Sequence, residues 1–426
     1  MLVIQKERNT FDVNNYMNLE LFIAKRLALG DNKSFSRFII RIAVVAIALS
    51  VAVMIVSTCM VSGFSKEIKE RIFGFWGEIH ITSFDNNESF ESTSPIKKEQ
   101  VLLDKLRKAK EVRNVAPFIV KAGVLKTKRE IEGIALKGVD KNYDWKMIQS
   151  YIKEGKSIEF KDTAASKDIL VSQTTANKLK LKVGDKVIAY FIKKELSSPI
   201  GRKFVVSGIY HTGLEEYDKQ YALIDIQVLR ELNQWQPDEV AGYEVRLHDM
   251  NKMDAFKDSV YLKYVDQKVN AKTMKDINRN IFEWLDLLTF DGYLILGFMV
   301  LIAVLNMITA LIILIIDRTN MIGILKSMGA NNQMISTVFI YNAAYIILTG
   351  LFWGNLIGLG ICIIQHFTGI IKLNEENYYL SVAPVYFNVV AILLINVGTL
   401  FICTMIMLLP TRLISRISPM KAIRFE

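Results

Sequence analysis

The chain has 426 residues, 51% of them hydrophobic, and a mean hydropathy of +0.25, a balance expected of a protein part membrane and part water-soluble. Its net charge of +10 does not make it a nucleic-acid binder, because many of the cations flank long apolar runs, where cytoplasmic-side charge is expected. Cys59, Cys362 and Cys403 all fall inside those runs, which excludes a disulfide-stapled outer domain.

In chain order, a cytoplasmic segment 1–37 comes first. Leu19, Phe22, Ile23, Arg26 and Leu27 follow the rhythm of an amphipathic helix, and Lys25 and Arg26 suit lipid headgroups. An interfacial helix on membrane lipid and an ordinary cytoplasmic helix both fit. The first uncharged run, Ile42–Phe64, assigns a transmembrane helix to 38–64. It starts too late and runs too long for a signal peptide. Helical patterning then continues: Lys66/Glu70 and Glu67/Arg71 are i, i+4 ion pairs, and Phe64, Ile68 and Ile72 mark one apolar side. A rigid stalk leaving the bilayer is expected.

Residues 65–290 read as an α+β domain. Strands are expected at Glu78–Thr82, Val115–Lys121, Gly123–Thr127 and Ile131–Gly138, with a helix at Gln100–Lys110. A β-rich unit at about 155–240 reads as an insertion, with strands at Ile169–Val171, Lys186–Ile192, Lys203–Ile209 and Tyr221–Asp225. Strand Tyr243–Leu247 and helices Met253–Val260 and Thr273–Leu285 complete the domain. Its scattered Asp and Glu read as solvated surface.

Three more apolar stretches place transmembrane helices at 291–316, 334–366 and 384–409. A loop at 317–333, a short outer loop at 367–383 and a tail at 410–426 separate or follow them. Gly350, Gly354 and Gly358 form two consecutive GxxxG frames suited to close helix packing. Lys and Arg crowd before the first span (Lys6, Arg8, Lys25, Arg26, Lys33, Arg37, Arg41), in the 317–333 loop (Arg318, Lys326) and in the tail (Arg412, Arg416, Lys421, Arg424). Both termini are therefore expected in the cytoplasm and the large domain outside. The fold class is a membrane α-helical protein with four transmembrane helices and an extracytoplasmic α+β domain between helices 1 and 2.

Catalytic signals are lacking. There is no G-x-x-x-x-G-K-[ST] loop, no G-x-S-x-G elbow, and no zinc spacing around His80, His211, His248 or His366. No charge lies deep in a span, against a proton relay or channel. The loop DRTNMIGILKSMGA repeats Met321, Ile324, Leu325 and Met328 at helical spacing and stops at Gly329. Its apolar face fits either a partner's groove or the membrane surface.

Arg318, Ile322, Leu325, Lys326, Gly329 and Ala330 match the coupling-helix pattern R-x-x-E-I-x-x-L-[KR]-x-x-G-A of the FtsX/MacB-like ABC permeases, which this stretch resembles. Met321 stands where the family usually has Glu. The ending LPTRLISRISPMKAIRFE is similar to that family's ending through Pro410, Arg416, Ile417, Pro419, Ala422, Ile423, Arg424 and Glu426, with Lys421 where an acid is common. VVSGIYHTGLEEYD at Val205–Asp218 resembles a motif of the lipoprotein-releasing branch, the LolC/LolE type, as do Ala24–Leu27 and Val61–Phe64. Pro199, Ile200, Gly201 and Arg202, within Lys193–Lys203, are similar to the Pro-Met-Gly-Arg hook by which LolC-type subunits hold a LolA-like periplasmic carrier. Pro-x-Gly is also ordinary turn chemistry, so a hairpin without a partner stands beside that reading.

The resemblance implies a non-catalytic permease subunit in the inner membrane. Its expected partners are two copies of a cytoplasmic ABC ATPase, which holds the ATP and Mg, and a second permease chain, a like copy or a paralogue. Its cargo would be a lipoprotein extracted from the membrane by mechanical force. MacB-like export, FtsX-like signalling, or a membrane-tethered binding protein without an ATPase are the alternatives.

Overall fold

A computed structural model describes residues 20, 22–24, 35–84, 94–97, 100–161, 164–192, 199–263 and 269–411. Most of the expected interfacial helix and the tail motif beyond Thr411 lie outside the described residues. The chain divides into two compact units, one formed by Met1–Ser62, Leu288–Thr368 and Val385–Glu426, the other by Gly63–Leu287 and Gly369–Pro384.

The first unit is helical. Its apolar runs lie in the helices Phe35–Trp76, Arg279–Asp317, Asn332–Thr368 and Val389–Ile406, the first of which runs on past Ser62 and the second of which begins before Leu288. A short helix Thr319–Ser327 lies between the second and third. In hydrocarbon every backbone group must bond within its own segment, so these runs can only be helices. Four helices are long and apolar enough to cross a membrane, and they overlap the four expected spans, but two of them are much longer. Phe35–Trp76 has 42 residues, about 60 Å at ~1.5 Å per residue, twice a ~30 Å hydrocarbon core. The helix expected at Thr273–Leu285 is instead a one-turn helix, Met274–Ile277, followed by the start of the 39-residue helix Arg279–Asp317. The break falls at Asn278, just after a capping box in which Thr273 and Asp276 satisfy each other's backbone N–H groups.

Within this unit the glycine frame packs against the first helix. A Cβ on Gly350 would stand 2.6 Å from Ile47 Cγ2, one on Gly354 2.7 Å from Val51 Cβ and 2.8 Å from Ala48 O, and one on Gly358 3.0 Å from Ala52 Cα. Asn355 donates to Asn396 Oδ1 at 2.5 Å and accepts from Asn396 Nδ2 at 3.0 Å, joining the third and fourth spans.

The second unit is built on twelve strands among the described residues: β1 (Ile79–Ser83), β2 (Ile96–Lys97), β3 (Val112–Lys126), β4 (Ile131–Val139), β5 (Ile152–Gly155), β6 (Asp168–Ser172), β7 (Lys186–Phe191), β8 (Ile200–Tyr210), β9 (Tyr221–Asp225), β10 (Glu239–Val240), β11 (Gly242–Leu247) and β12 (Val269–Thr273). Ten of them share one sheet. The two strands expected at Val115–Lys121 and Gly123–Thr127 are a single strand, β3. Its first half pairs with β11 in an open antiparallel run β12-β1-β11-β3. Its second half pairs with β4 on one side and β7 on the other. From there β4-β9-β6-β8-β7 returns to β3, so the hydrogen-bonded strands close a ring.

That ring corrects the expected insertion at 155–240. Strands β6 to β9 leave unpaired edges by themselves, and edges are removed by closure. Closure requires β3 and β4, which precede residue 155. Several helices went unanticipated, among them Glu215–Gln220, Trp145–Tyr151, Gln173–Leu179 and Ile226–Asn233. The last two begin at Ser172 and Asp225, whose side chains accept from Thr175 N and Gln227 N, the N-cap signal present in the sequence.

Candidate functional site

Two places in the chain hold the residues of functional interest, one in each unit. In the helical unit, the helix Thr319–Ser327 presents a different face from the one expected. Ile322 is completely buried in the core formed by the spans, and Met321, Leu325 and Ala330 pack half-buried against it. Ile324 and Met328 are exposed, at 54% and 79%, and Gly329 is exposed beside them. Leu325 therefore belongs chiefly to the protein's own core, and the free apolar side chains are Ile324 and Met328. Arg318 stands at the helix start, its Nε 3.4 Å from Asp317 Oδ2, and Lys326 is half-buried in the last turn.

In the outer unit the first helix ends in a polar socket. The apolar stalk side chains Phe64, Ile68 and Ile72 are all buried, and Phe64 meets Trp284 edge-on at 6.3 Å. Both expected ion pairs form, Lys66–Glu70 at 3.9 Å and Arg71–Glu67 at 2.9 Å. Gly77, at φ +75°, then ends the helix. A helix leaves its last four carbonyls without intrahelical partners. Here Phe73 O keeps a bond from Gly77 N at 2.7 Å, and side chains reach all four. Phe73 O accepts from Arg246 Nη1 at 2.7 Å and Gly74 O from Arg246 Nη2 at 3.0 Å. Phe75 O accepts from Lys137 Nζ and from Tyr143 Oη, each at 2.6 Å. Trp76 O is 3.0 Å from His80 Nε2, which must donate to it.

Lys137 on β4 and Glu244 on β11 form a 2.6 Å ion pair whose side chains are 0% and 1% exposed. Arg246, 2% exposed, lies 3.9 Å from Glu244 and 3.9 Å from Asp144. The Lys137 ammonium also stands 3.9 Å from the Trp76 ring centre. Burial draws Lys137 down to about 8 and pushes Glu244 up, while their contact opposes both shifts. Burial, aided by the nearby Lys137 charge, lowers His80 to about 3, so its imidazole is neutral. The reading of the outer domain's acids as solvated surface is corrected here: Glu78, Asp218, Asp225 and Glu244 are all buried. A charge alternating with apolar residues along a strand looks like a wet face until another element covers it.

The motif Val205–Asp218 builds a second hold on the same helix. The buried Asp218 accepts from Thr212 N at 3.1 Å, Thr212 Oγ1 at 2.8 Å and Gly213 N at 3.2 Å, and lies 2.8 Å from His211 Nδ1. The loop so fixed turns the Thr212 carbonyl toward the stalk, where it accepts from Arg71 Nη1 at 2.9 Å. Gly213 has φ +73°, and a Cβ there would overlap Arg71 Nη1 at 1.6 Å. Tyr217 of the motif bonds Asn278, the residue before the second long helix, at 3.3 Å.

The hairpin β7–β8 carries the hook-like residues, most of them in its ladder rather than in its turn. Ile200, Gly201 and Arg202 are not in its turn; they pair with Phe191, Tyr190 and Ala189 in the ladder. Only Pro199 lies outside it, and 193–198 fall outside the described residues.

Family models match the chain twice: the MacB-like periplasmic core domain over residues 42–261 and the FtsX-like permease C-terminal domain over residues 293–419. The lipoprotein-releasing system transmembrane protein LolC of Neisseria meningitidis serogroup B is 24% identical, over 96% of this chain and 100% of that protein. The corresponding LolE of Haemophilus influenzae is 22% identical, over 95% of this chain and 98% of its own length. Among solved structures, the periplasmic region of MacB from Actinobacillus actinomycetemcomitans aligns over 48% of this chain and 91% of its own, with 12% identity and a TM-score of 0.33. With its periplasmic core model covering more than half of the sequence and its membrane domain model most of the remainder, this chain belongs to the FtsX/MacB-like permease family.

Proposed function

We propose that this chain is the permease subunit of an ATP-driven ABC complex that extracts lipoproteins from the inner membrane and passes them to a periplasmic carrier. The observation that carries the reading is the unbroken helix Phe35–Trp76, apolar for its first half and anchored at its far end by side-chain bonds to its last four carbonyls. The full-length likeness to LolC and LolE supplies the cargo. A lipid anchor resists removal by ~0.8 kcal/mol per buried CH₂, so release of several acyl chains must be driven. Hydrolysis belongs to a separate cytoplasmic ATPase, reached through the coupling helix Thr319–Ser327. Both termini are cytoplasmic in this reading, a second permease chain completes the membrane part, and the β7–β8 hairpin is where a carrier docks.

The coupling step is tested at the exposed positions. Ile324→Asp and Met328→Asp should each leave the protein folded and inserted but sharply reduce co-purification of the ATPase, whereas Leu325→Asp should destabilise the chain itself. Undiminished ATPase recovery with the double variant would remove the coupling assignment. Depletion of the protein should leave outer-membrane lipoproteins on the inner membrane; normal sorting would remove the cargo assignment.

A further inference from the structure

The end of the first helix is held by more than an ordinary cap. Its carbonyls are bonded by side chains from β4, β11 and the Tyr143 loop, and two completely buried cations face a single completely buried carboxylate there. We propose that Lys137, Arg246 and Glu244 form a latch that makes the helix end and the sheet one rigid body, and that these are the positioning residues through which axial displacement of the helix reaches the outer unit. This rests on the force-coupled reading above.

Direction is the first argument. The negative end of a helix dipole lies at its C-terminal carbonyls, so buried cations seated on those carbonyls oppose withdrawal along the axis. Apolar packing resists sideways movement well, but side chains sliding past one another give up little for a small axial shift. A charge drawn from its partner where water does not reach loses far more, since the local dielectric is low.

Composition is the second argument. A structural ion pair needs one cation for one carboxylate, and buried pairs are seldom better for stability than apolar residues of similar volume. Here Glu244 is matched at 2.6 Å by Lys137 alone. Arg246 spends its two terminal nitrogens on Phe73 O and Gly74 O instead, with Asp144 at the rim already bonded to Arg113 at 2.7 Å. The second cation, 3.9 Å from Glu244, gives its hydrogen bonds to the helix rather than to the carboxylate.

Load sharing is the third argument. Consecutive carbonyls are assigned to different elements: Phe73 and Gly74 to β11, Phe75 to β4 and the following loop, Trp76 to β1. Strands β1, β11, β3 and β4 are hydrogen-bonded neighbours in that order, so a push on the helix end is distributed across four adjacent strands.

The test uses the full chain in complex with its ATPase, and a Lys137→Met/Glu244→Leu double variant that removes the ion pair as a unit and leaves no lone charge from it. Val171→Ala, a core truncation in the strand ring, controls for lost stability. In the double variant, hydrogen exchange across residues 70–77 should accelerate at least tenfold, ATP turnover should stay within twofold of the parent, and lipoprotein released per ATP should fall at least fivefold. Val171→Ala should change neither the exchange at 70–77 nor the ratio. Unchanged exchange at 70–77 overturns the latch; faster exchange with a parental release ratio overturns its part in transmission. If the parent complex itself releases no lipoprotein, the functional reading fails, and the exchange result alone still decides the latch.

Discussion

Along Ile47–Ile55 the first helix meets the glycines of the third span backbone to side chain, whereas along Phe73–Trp76 it meets arginine, lysine, tyrosine and histidine. The same helix is thus held by opposite chemistries in its two halves. In hydrocarbon, apolar side chains gain nothing by leaving lipid, so association depends on close packing over small residues. In the outer unit the helix must end, and an end exposes four carbonyls that burial would otherwise leave unpaired. The membrane half is specified by shape and the outer half by hydrogen bonding. A fault in each half should therefore show differently.

The largest effect is expected in the socket. Lys137→Ala leaves Glu244 buried with only a distant Arg246, and breaking a buried pair from one side costs about 3–5 kcal/mol. Denaturant unfolding followed by outer-unit tryptophan emission should show it; a loss below 1 kcal/mol would mean water reaches Glu244. In the membrane half, Gly354→Leu forces atoms into the space held by Val51 and Ala48, and overpacking of this kind costs about 1–3 kcal/mol. Reduced thermal stability in detergent is the readout, with Gly360→Leu, whose Cβ meets nothing, as the silent comparison. Equal losses at both glycines would show that shape does not specify this half.

The smallest effect is a pH dependence confined to the socket. His80 titrates at about 3 folded against 6.5 unfolded, so below 6.5 the unfolded chain takes up a proton that the folded chain refuses. Stability is whole above 6.5 and falls as pH drops toward 3, by about 1.4 kcal/mol between pH 7.5 and 5.5. His80→Phe should flatten that fall in the outer unit while leaving Gly354→Leu protein as sensitive to acid as its parent. A slope unchanged by His80→Phe would place the acid sensitivity elsewhere.

Much of this was legible in the residues. Uncharged length marked the four spans, and the i, i+4 pairs at Lys66 and Glu67 marked a helix continuing past the first of them. The Val205–Asp218 motif was visible as a family mark, yet its work, an Asp218-braced loop accepting from Arg71, was not, because Arg71 lies 141 residues away from Thr212. Leu325 looked equivalent to Ile324 on a helical wheel; which of them faces the protein's own core is decided by how the short helix packs its Ile322 side into the spans. The hook residues read as a turn because Gly and Pro are turn formers, while the β7 ladder takes Gly201 and Arg202 into the strand.

By itself the sequence determined the number of spans, the helical stalk and its apolar side, since these depend on composition and on periodicity within a few turns. The tertiary structure alone decided that β3 and β4 close the ring with strands far along the chain, and that Lys137, Glu244 and Arg246 are buried. Period-two patterning states which residues share a face of a strand but not what covers that face. A carboxylate on a strand becomes a solvated side chain or half of a buried ion pair according to whether a helix end arrives above it, and that is settled only by contacts between distant parts of the chain.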